Sequence, residues 1–244
     1  MPHESTVPKQ DTEVTPQESS AKRSPEELDR LTRLYDSFQP LWLTETIQLG
    51  PLYPSDKDRN ALLKHLNDPR VYSYLIGPPN PYTSNDADNW ISGRFDRMTK
   101  QGIPLNAMLR DMAKDEQIIG AVQVSDISDD NLEGDDVGYW LAPEYHGQGL
   151  MAKALKLMLQ EVSISKVGKR KFNATTFEGN WASRRTLEKA GFVYQPDIHK
   201  KAVKAGKELN LWIFRLVLTE KDIAQREVIM QATPLSSLAK SSMV

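Results

Sequence analysis

The chain has 244 residues and a formal net charge of −2, which argues against a general nucleic-acid-binding protein. It has no cysteine, and this excludes disulfides, thiolate catalysis and cysteine-based metal sites. Its 39% hydrophobic and 26% charged residues are ordinary for a globular protein, and its length suits one domain with extensions.

The N-terminal segment, up to about residue 23, is rich in Ser, Thr, Pro, Glu and Gln and nearly lacks large apolar side chains. Such a composition cannot bury enough surface to offset its ordering entropy. A helix start follows, with Ser24 at the N-cap and Pro25 at the first helical position. The predicted organisation has three parts: a largely disordered extension over 1–38 with a short amphipathic helix at about 25–37, a domain over 39–219, and a C-terminal helix and flexible tail over 220–244.

The first half of the domain is predicted to alternate strands and helices. Ser55 is placed to cap one helix and Pro69 to end it. The turn at 114–116 joins two strands as a hairpin. The predicted elements are a strand over Trp42–Leu49, a helix from Ser55, a helix from Thr83 or Ser84 to Gly102, and strands over Pro104–Met112 and Gln117–Ser125.

The most informative feature is a glycine-bearing turn between a predicted strand, Asp136–Leu141, and a predicted helix, Leu150–Ser165. The first N–H groups of a helix have no intrahelical partner, and the macrodipole is positive at that end. Gly147 and Gly149 lack the Cβ atoms that would keep a phosphate from the backbone. The pattern predicts an anion-binding site.

A second strand–helix unit follows the first. Its strand is predicted over Phe172–Phe177, and Asn180 or Ser183 caps a helix that ends at Gly191. The domain closes with two predicted strands, the second of them apolar enough to be covered on both faces: Val193–Ile198 and Leu209–Leu218.

At this spacing the two motifs resemble those of the GNAT acetyltransferase superfamily. A third stretch narrows the resemblance to the RimJ/RimL-type branch, and it comprises Leu66–Val71, Pro79–Thr83, Asp86–Ala87 and Trp90–Ile91. The resemblance extends over roughly Leu41–Leu218. It implies a mixed α/β (α+β) GNAT fold, in which a central, mostly antiparallel, twisted sheet is splayed at the cofactor site and flanked by helices.

The resemblance also implies an acetyl-CoA-dependent N-acetyltransferase. The acceptor is a primary amine, either a protein N-terminus or a small-molecule amine, and transfer is direct in a ternary complex. No activated nucleophile for an acyl-enzyme is visible. An alternative of another class is a CoA-binding regulatory or partner-docking protein without turnover. Leu187 favours it, because many superfamily members carry there the Tyr that protonates the leaving thiolate.

By resemblance, the first turn and helix start hold the pyrophosphate of acetyl-CoA, and Asn180 lies beside the pantetheine arm. A backbone N–H near Leu141 is expected to meet the oxyanion. His146 and Met151 depart from the family pattern, and His146 has a catalytic base as a second interpretation. The expected cofactor-binding residues are Leu141, His146, Gly147, Gln148, Gly149, Leu150, Met151 and Asn180.

The expected catalytic residues are Asp136 and Ser183. Asp136 takes the amine proton, directly or through water, with Glu133 and Asp135 as competitors. By the same resemblance, Ser183, three residues after Asn180, is the substitute for the missing Tyr as hydrogen-bond donor to the sulfur; its alternative role is a helix cap. Tyr194 is a second candidate for this donor, or a core residue.

Six acidic residues around one loop have two interpretations, a solvated face or an attraction for a cationic acceptor such as a polyamine, amino sugar or basic peptide. They are Asp126, Asp129, Asp130, Glu133, Asp135 and Asp136. Three aromatic residues line the acceptor pocket or belong to the core: Tyr82, Trp90 and Tyr139. The basic segments Lys166–Lys171 and His199–Lys207 meet the 3′-phosphate of CoA or are solvated loops.

The four histidines lack the spacing of metal ligands, so no metal is expected. No apolar run approaches the ~20 residues that span a bilayer, and no secretory signal pattern is present. We therefore expect no nucleic-acid or membrane partner, a monomer or homodimer, and a cytoplasmic location with the nucleus as an alternative.

Overall fold

The computed structural model describes residues 26, 40–101, 106–125, 132–164 and 168–223, with the side chains of 95–101 and 162–164 excepted. The predicted N-terminal extension, 1–38, lies outside these residues apart from Glu26. So do Asp126, Asp129 and Asp130 of the acidic cluster, and the chain beyond residue 223. Residues 220–223 are helical.

One sheet holds the nine strands of the described residues, in the order β1-β2-β3-β4-β5-β6-β9-β7, with β8 paired to β9. Every pairing is antiparallel except that of β5 with β6. The strands are β1 (Leu41–Trp42), β2 (Ile47–Gly50), β3 (Asn106–Asp111), β4 (Gln117–Ser125), β5 (Asp135–Leu141), β6 (Lys171–Phe177), β7 (Val193–Tyr194), β8 (Lys200–Lys204) and β9 (Lys207–Val217). The mixed, mostly antiparallel sheet that was predicted is confirmed.

Helices cover the sheet. The Ser55 side chain caps its helix as predicted, accepting the Asp58 N–H at 3.2 Å. Asp68 caps a further short helix, which begins at Pro69 and was not predicted. The helices are α1 (Asp56–Leu66), α2 (Pro69–Tyr72), α3 (Ser84–Gln101), α4 (Leu150–Leu157), which continues as a π-helix over Met158–Ile164, and α5 (Trp181–Ala190).

The sheet is split between β5 and β6. These strands pair in parallel only at Asp135 with Phe172 and at Asp136 with Asn173. Beyond that point β5 stays on β4 up to Leu141, and β6 stays on β9 up to Phe177. A wedge-shaped opening therefore separates the carboxyl ends of the two strands.

The two faces of the sheet carry different cores. The larger core includes Leu155 of α4 and Leu187 of α5, together with Phe172 and Phe214 of the sheet. The smaller core lies under α1–α3 and includes Leu62, Met108 and Ile118. Side chains alternate along β5, so Tyr139 belongs to the first face and Trp140 to the second.

Three predicted elements were wrong in detail. The Trp42–Leu49 strand is a hairpin of β1 and β2, because Leu43 and Thr44 donate their N–H groups back to the Ile47 carbonyl. The Leu209–Leu218 strand is not covered on both faces throughout, since Lys207–Asn210 is exposed in a hairpin with β8. The strand predicted over Val193–Ile198 has only two residues.

A buried ion pair joins α1 to the sheet. The Arg110 guanidinium donates to both Asp58 carboxylate oxygens, at 2.9 and 2.6 Å, and to the Pro51 carbonyl. The side chains are only 3% and 2% exposed. Asp58 also accepts the Tyr53 N–H at 2.7 Å, so the polar groups of the pair are hydrogen-bonded.

Asp58→Asn should destabilise the fold by about 3–5 kcal/mol, because it leaves the guanidinium buried without its counter-charge. The free energy of unfolding from urea denaturation measures the loss. Asp88→Asn is a matched control on the exposed contact between Asp88 and Arg59 and should change stability little. Equal effects of the two substitutions would contradict a stabilising role for the buried pair.

Candidate active site

A cavity of about 1560 Å³ runs along the split between β5 and β6. Residues of α5 and of the turn after β5 line one part of it. The segment 73–79 and α3 line the other part. The cavity therefore reaches both faces of the sheet at the place where two strands separate.

The turn between β5 and α4 leaves an open cradle of backbone N–H groups. Gly147 and Gly149 have φ values of 77° and 72°, in the left-handed region that favours glycine. The first helical hydrogen bond runs from the Lys153 N–H to the Gly149 carbonyl, so the N–H groups of Leu150 and Met151 lack intrahelical acceptors. A Cβ on either glycine would meet no atom within 4 Å, which means that the space beside them is open.

Side chains from elsewhere in the fold hold this turn. The Tyr145 hydroxyl donates to Asp111 at 2.6 Å and accepts from Lys114 at 2.9 Å. Arg70 of α2 contacts Glu144 at 3.2 Å. These contacts fix the cradle relative to β3 and α2.

The side chains of His146 and Gln148 differ in their position relative to the cavity. His146 lines the cavity, and its Nε2 lies 2.9 Å from the Leu141 carbonyl oxygen. Gln148 does not line the cavity, and its side-chain amide reaches back to the Glu144 carbonyl at 3.4 Å. A contact between Gln148 and a ligand in this cavity is therefore not supported by the side-chain geometry.

The backbone of β5 directs N–H groups into the split. Ala142 donates its N–H to the Ile119 carbonyl of the preceding strand at 2.7 Å. N–H directions alternate along an antiparallel strand, so the N–H groups of Leu141 and Tyr139 point the opposite way. That side faces the split, as expected for an N–H that meets an oxyanion.

A tyrosine and a serine meet across the split. The Tyr139 hydroxyl lies 2.7 Å from Ser183 Oγ, where either oxygen can be the donor, and 3.2 Å from the Ser183 carbonyl oxygen. Asn180 accepts the Ser183 N–H at 3.1 Å, so it caps α5 and positions the serine. Burial raises the pKa of Tyr139 above its ordinary value, while the hydrogen bond to Ser183 lowers it less. Tyr139 is therefore a neutral phenol at physiological pH.

The sequence-based interpretation does not predict this contact, because it assigns Tyr139 either to the acceptor pocket or to the core. Period-2 alternation places it on the same face as Leu141, which the resemblance had assigned to the cofactor. The sequence therefore contained a signal that Tyr139 lies on the cofactor side of the strand. Leu187, where many superfamily members carry Tyr, is fully buried in the core, and Tyr194 packs on Trp212 and Phe214 rather than lining the cavity.

Among the described acidic residues of the cluster, only Asp136 lines the cavity. Lys169 binds Asp135, and Lys171 binds Glu133. The hydrogen bond from Lys171 lowers the pKa of Glu133. The two sequence competitors of Asp136 are thus engaged by lysines at the closed end of the split.

The other part of the cavity is aromatic and basic. Tyr82 and Trp90 line it, as one interpretation of the sequence proposed, and Tyr82 is only 5% exposed. Burial raises the pKa of Tyr82 to about 12. Arg94 of α3 donates to the side-chain Oε1 of Gln123 at 2.7 Å, and its guanidinium lies 5.1 Å from the Trp90 ring centroid. A guanidinium therefore stands in this part of the cavity.

The basic residues that line the cavity differ from those expected. Arg185 and Lys189 line it together with Thr186, one helical turn apart on α5. Among the described residues of the two segments first considered, none lines it. The i, i+4 spacing of Arg185 and Lys189 puts both on one face of α5, and this basic face could have been recognised from the sequence.

Within the described residues, no group of three or more His, Cys, Asp or Glu side chains is arranged to hold a metal ion. The helices of this part of the chain include none long and apolar enough to cross a bilayer.

A strand, an anion-binding turn and a second motif helix beside a split sheet define a CoA-dependent acyltransferase site. The family model described as "Acetyltransferase (GNAT) domain" matches residues 48–193, and the chain belongs to this family. It is an N-acetyltransferase with acetyl-CoA as cosubstrate. Acetyltransferases of this fold have been solved with acetyl-CoA bound.

Curated relatives and solved structures agree with this family. The probable N-acetyltransferase YjcK of Bacillus subtilis is 32% identical over 161 residues, which cover 66% of this chain and 87% of YjcK. The putative ribosomal N-acetyltransferase YdaF of the same organism is 24% identical over 182 residues, covering 73% and 94%. Mycobacterium smegmatis RimJ, solved with CoA-disulfide, superposes with a TM-score of 0.60 at 18% identity, covering 78% and 92%. These similarities confirm the predicted RimJ/RimL-type branch.

The residues present fit acetyl-CoA. The open cradle at Gly147 and Gly149 provides unpaired N–H groups for a pyrophosphate, and Arg185 and Lys189 add positive charge. Unpaired strand N–H groups line the split, where the amides of a pantetheine arm find partners.

Gly149→Ala should raise the Kd of acetyl-CoA by about tenfold or more, because its Cβ enters the open cradle beside the helix N-terminus. The left-handed backbone should also cost about 1 kcal/mol of stability. Isothermal titration calorimetry gives the Kd. Gly93→Ala, on α3 where a Cβ meets nothing within 4 Å, is the control and should leave binding unchanged. An unaltered Kd in Gly149→Ala would contradict a cofactor site at this turn.

Proposed function

We propose that the enzyme transfers the acetyl group directly from acetyl-CoA to a primary amine in a ternary complex. The main support is that Asp136 and the pair of Tyr139 and Ser183 line one cavity. Asp136 and Tyr139 have opposite parity on β5, so they belong to opposite faces of the strand. The proposed base and acid thus reach the cavity from opposite faces of β5.

Asp136 is the proposed base. The ammonium form of the acceptor must lose a proton before it attacks, and of Glu133, Asp135 and Asp136 only Asp136 lines the cavity. Asp136 takes this proton directly or through a water molecule.

Tyr139 is the proposed acid, acting with Ser183. Its raised pKa keeps the proton on the phenol at neutral pH, and its 2.7 Å contact with Ser183 Oγ provides a relay. A phenol is more acidic than an aliphatic hydroxyl, although burial makes this phenol a weaker acid than an exposed tyrosine, so Tyr139 is the proposed source of the proton rather than Ser183 alone. The role of Ser183 is then to orient the phenol and pass its proton.

The remaining groups are proposed to bind acetyl-CoA and to stabilise the oxyanion. The Leu141 N–H is proposed to donate to the acetyl oxygen as negative charge develops there. His146, Gly147, Gly149, Leu150 and Met151 line the cavity at the turn, and Asn180 caps α5 beside it. Acetyl-CoA supplies a thioester as acyl donor. In a turnover Asp136 takes one proton from the ammonium form of the acceptor and releases it to solvent. The nitrogen–carbon bond then forms and the carbon–sulfur bond breaks. The Tyr139–Ser183 pair gives one proton to the sulfur and is reprotonated by the second proton that the nitrogen loses.

A protein or peptide N-terminus is the proposed acceptor, with a small-molecule amine as the second candidate. YdaF is named as a putative ribosomal N-acetyltransferase, which favours the first. Tyr74 and Ile76 line the cavity and are 55% and 46% exposed, so they offer apolar contacts to residues that follow an N-terminus. The expectation of a cationic acceptor rests on Asp136 and on acids outside the described residues, since Glu133 and Asp135 are engaged by lysines.

CoA-thiol release from acetyl-CoA tests the proposal against peptides with free N-termini, polyamines, amino sugars and aminoglycosides. Release with peptides and not with their N-terminally blocked forms is the expected result. Acetyl-CoA binding without release for any amine would instead favour the CoA-binding regulatory or partner-docking alternative.

Tyr139→Phe should lower kcat on the order of 10²-fold and leave the Kd of acetyl-CoA nearly unchanged, because only the proton donor is lost. Ser183→Ala should lower kcat in the same direction, and Asp136→Asn should do so by removing the base. Tyr194→Phe is the matched control, since Tyr194 lies outside the cavity lining. Full activity in Tyr139→Phe would eliminate the phenol as acid.

The pH profile should show no loss of kcat from Tyr139 ionisation below about pH 10, the ordinary pKa of tyrosine. The sign follows from the acid role: the protonated phenol is active, and burial raises its pKa, so activity persists to higher pH. Steady-state kcat at saturating substrates between pH 6 and 10 measures this. A descending limb centred near neutral pH, absent in Tyr139→Phe, would contradict the assignment.

A further inference from the structure

Lys204 connects the end of the β8–β9 hairpin to a distant segment. Its ammonium donates to the backbone carbonyls of Tyr72 and Leu75, which lie 132 and 129 residues away in the chain. It also lies 5.8 Å from the ring centroids of Tyr72 and Phe177. Burial lowers its pKa, so the contacts hold a partly desolvated cation.

These contacts lie at the open end of the split. At the closed end, β5 and β6 pair through Asp135 and Asp136. Phe177 ends β6 at the opposite end, and the β8–β9 hairpin extends beyond it from the pairing of Lys200 with Leu211. Tyr72 and Leu75 belong to the other half of the molecule, since Leu75 packs on the core under α1–α3. Lys204 therefore spans the opening between the two halves.

The segment that Lys204 holds leads directly into the cavity wall. Residues 73–79 all line the cavity, on the side with Tyr82 and Trp90. The Tyr72 carbonyl also accepts the Leu75 N–H at 3.1 Å, and the Val71 carbonyl accepts the Tyr74 N–H at 3.1 Å. The ammonium thus supports the carbonyls of a turn from which the acceptor side of the wall begins.

We propose that Lys204 is a positioning residue that clamps the β8–β9 hairpin to residues 72–75, and so sets the width of the acceptor opening at the mouth of the split. The effect on acceptor binding rests on the proposed function, in which the amine acceptor binds along the wall that Lys204 holds. The cofactor cradle is held by other contacts, through Asp111, Lys114 and Arg70. Loss of the clamp should therefore weaken acceptor binding and leave acetyl-CoA binding intact.

Hydrogen exchange tests the clamp without relying on activity. Lys204→Met keeps the length of the side chain and removes its charge and donors. The amides of Tyr74 and Leu75 should exchange about tenfold faster in this variant, the loss expected for a hydrogen bond from a charged donor. Lys204→Arg should restore most of the protection. Lys201→Met is the matched control on the same strand, where Lys201 pairs with exposed Glu208 at 2.7 Å, and exchange should stay unchanged.

Kinetics test the consequence for the acceptor. With the best peptide acceptor from the release assay, Lys204→Met should raise the acceptor KM about tenfold, change kcat little and leave the Kd of acetyl-CoA within about twofold. Lys204→Arg should recover the KM. The unfolding midpoint of each variant, together with exchange in β3 and β4, separates a local effect from global destabilisation.

The outcomes are distinguishable. Unchanged exchange at Tyr74 and Leu75 in Lys204→Met overturns the clamp, whatever the activity. Faster exchange with an unchanged acceptor KM overturns the positioning role. Absence of acetyl transfer by the native enzyme to any amine overturns the proposed function and the acceptor role with it, while the exchange result still decides whether Lys204 holds the segment.

Discussion

The site depends on the limited pairing of β5 with β6. Each strand is fully paired on its outer side, β5 with β4 and β6 with β9, but the two pair with each other at only two positions. Backbone N–H and C=O groups on the inner sides beyond Asp136 are thereby left for other partners. An unpaired backbone group away from water is costly, so a ligand with its own amides fits this opening well. The split accordingly provides both the space and the hydrogen-bonding groups for a pantetheine arm.

The elements around the split lie on two different faces of β5. Gly147 and Gly149 allow the chain to turn into α4 and present its N-terminus on one face. Asn180 begins α5 on the same face and brings Ser183 to Tyr139. The other face carries α3 and the segment 73–79, which have no part in the cradle. On the proposed function, period-2 alternation along β5 separates the groups that bind the acyl donor from those that meet the acceptor.

Local signals in the sequence predicted much of this arrangement. The glycine turn, the caps at Ser55 and Asn180, and the order of strands and helices follow from spacing and residue type over short distances. The β8–β9 hairpin was missed because its two-residue turn is Ala205-Gly206, with positive φ at both positions, and alanine gives no turn signal. Lys204 could not be placed, since its partners are more than a hundred residues away and are backbone carbonyls, which leave no trace in residue type.

The proposed acid, Tyr139, shows that the same chemical group can reach a site from a different position in the fold. A leaving thiolate needs a proton donor near the end of β5, and many superfamily members bring a phenol there from the second motif helix. In this chain Leu187 occupies that helical position and is fully buried, so it fills core volume instead. Tyr139 brings a phenol from the strand, and Ser183 on the helix meets it at 2.7 Å. Because the two elements face each other across the split, a hydroxyl from either side reaches the same place. The absence of tyrosine from the helix is therefore compatible with turnover. The helix motif alone would instead have favoured a protein without turnover.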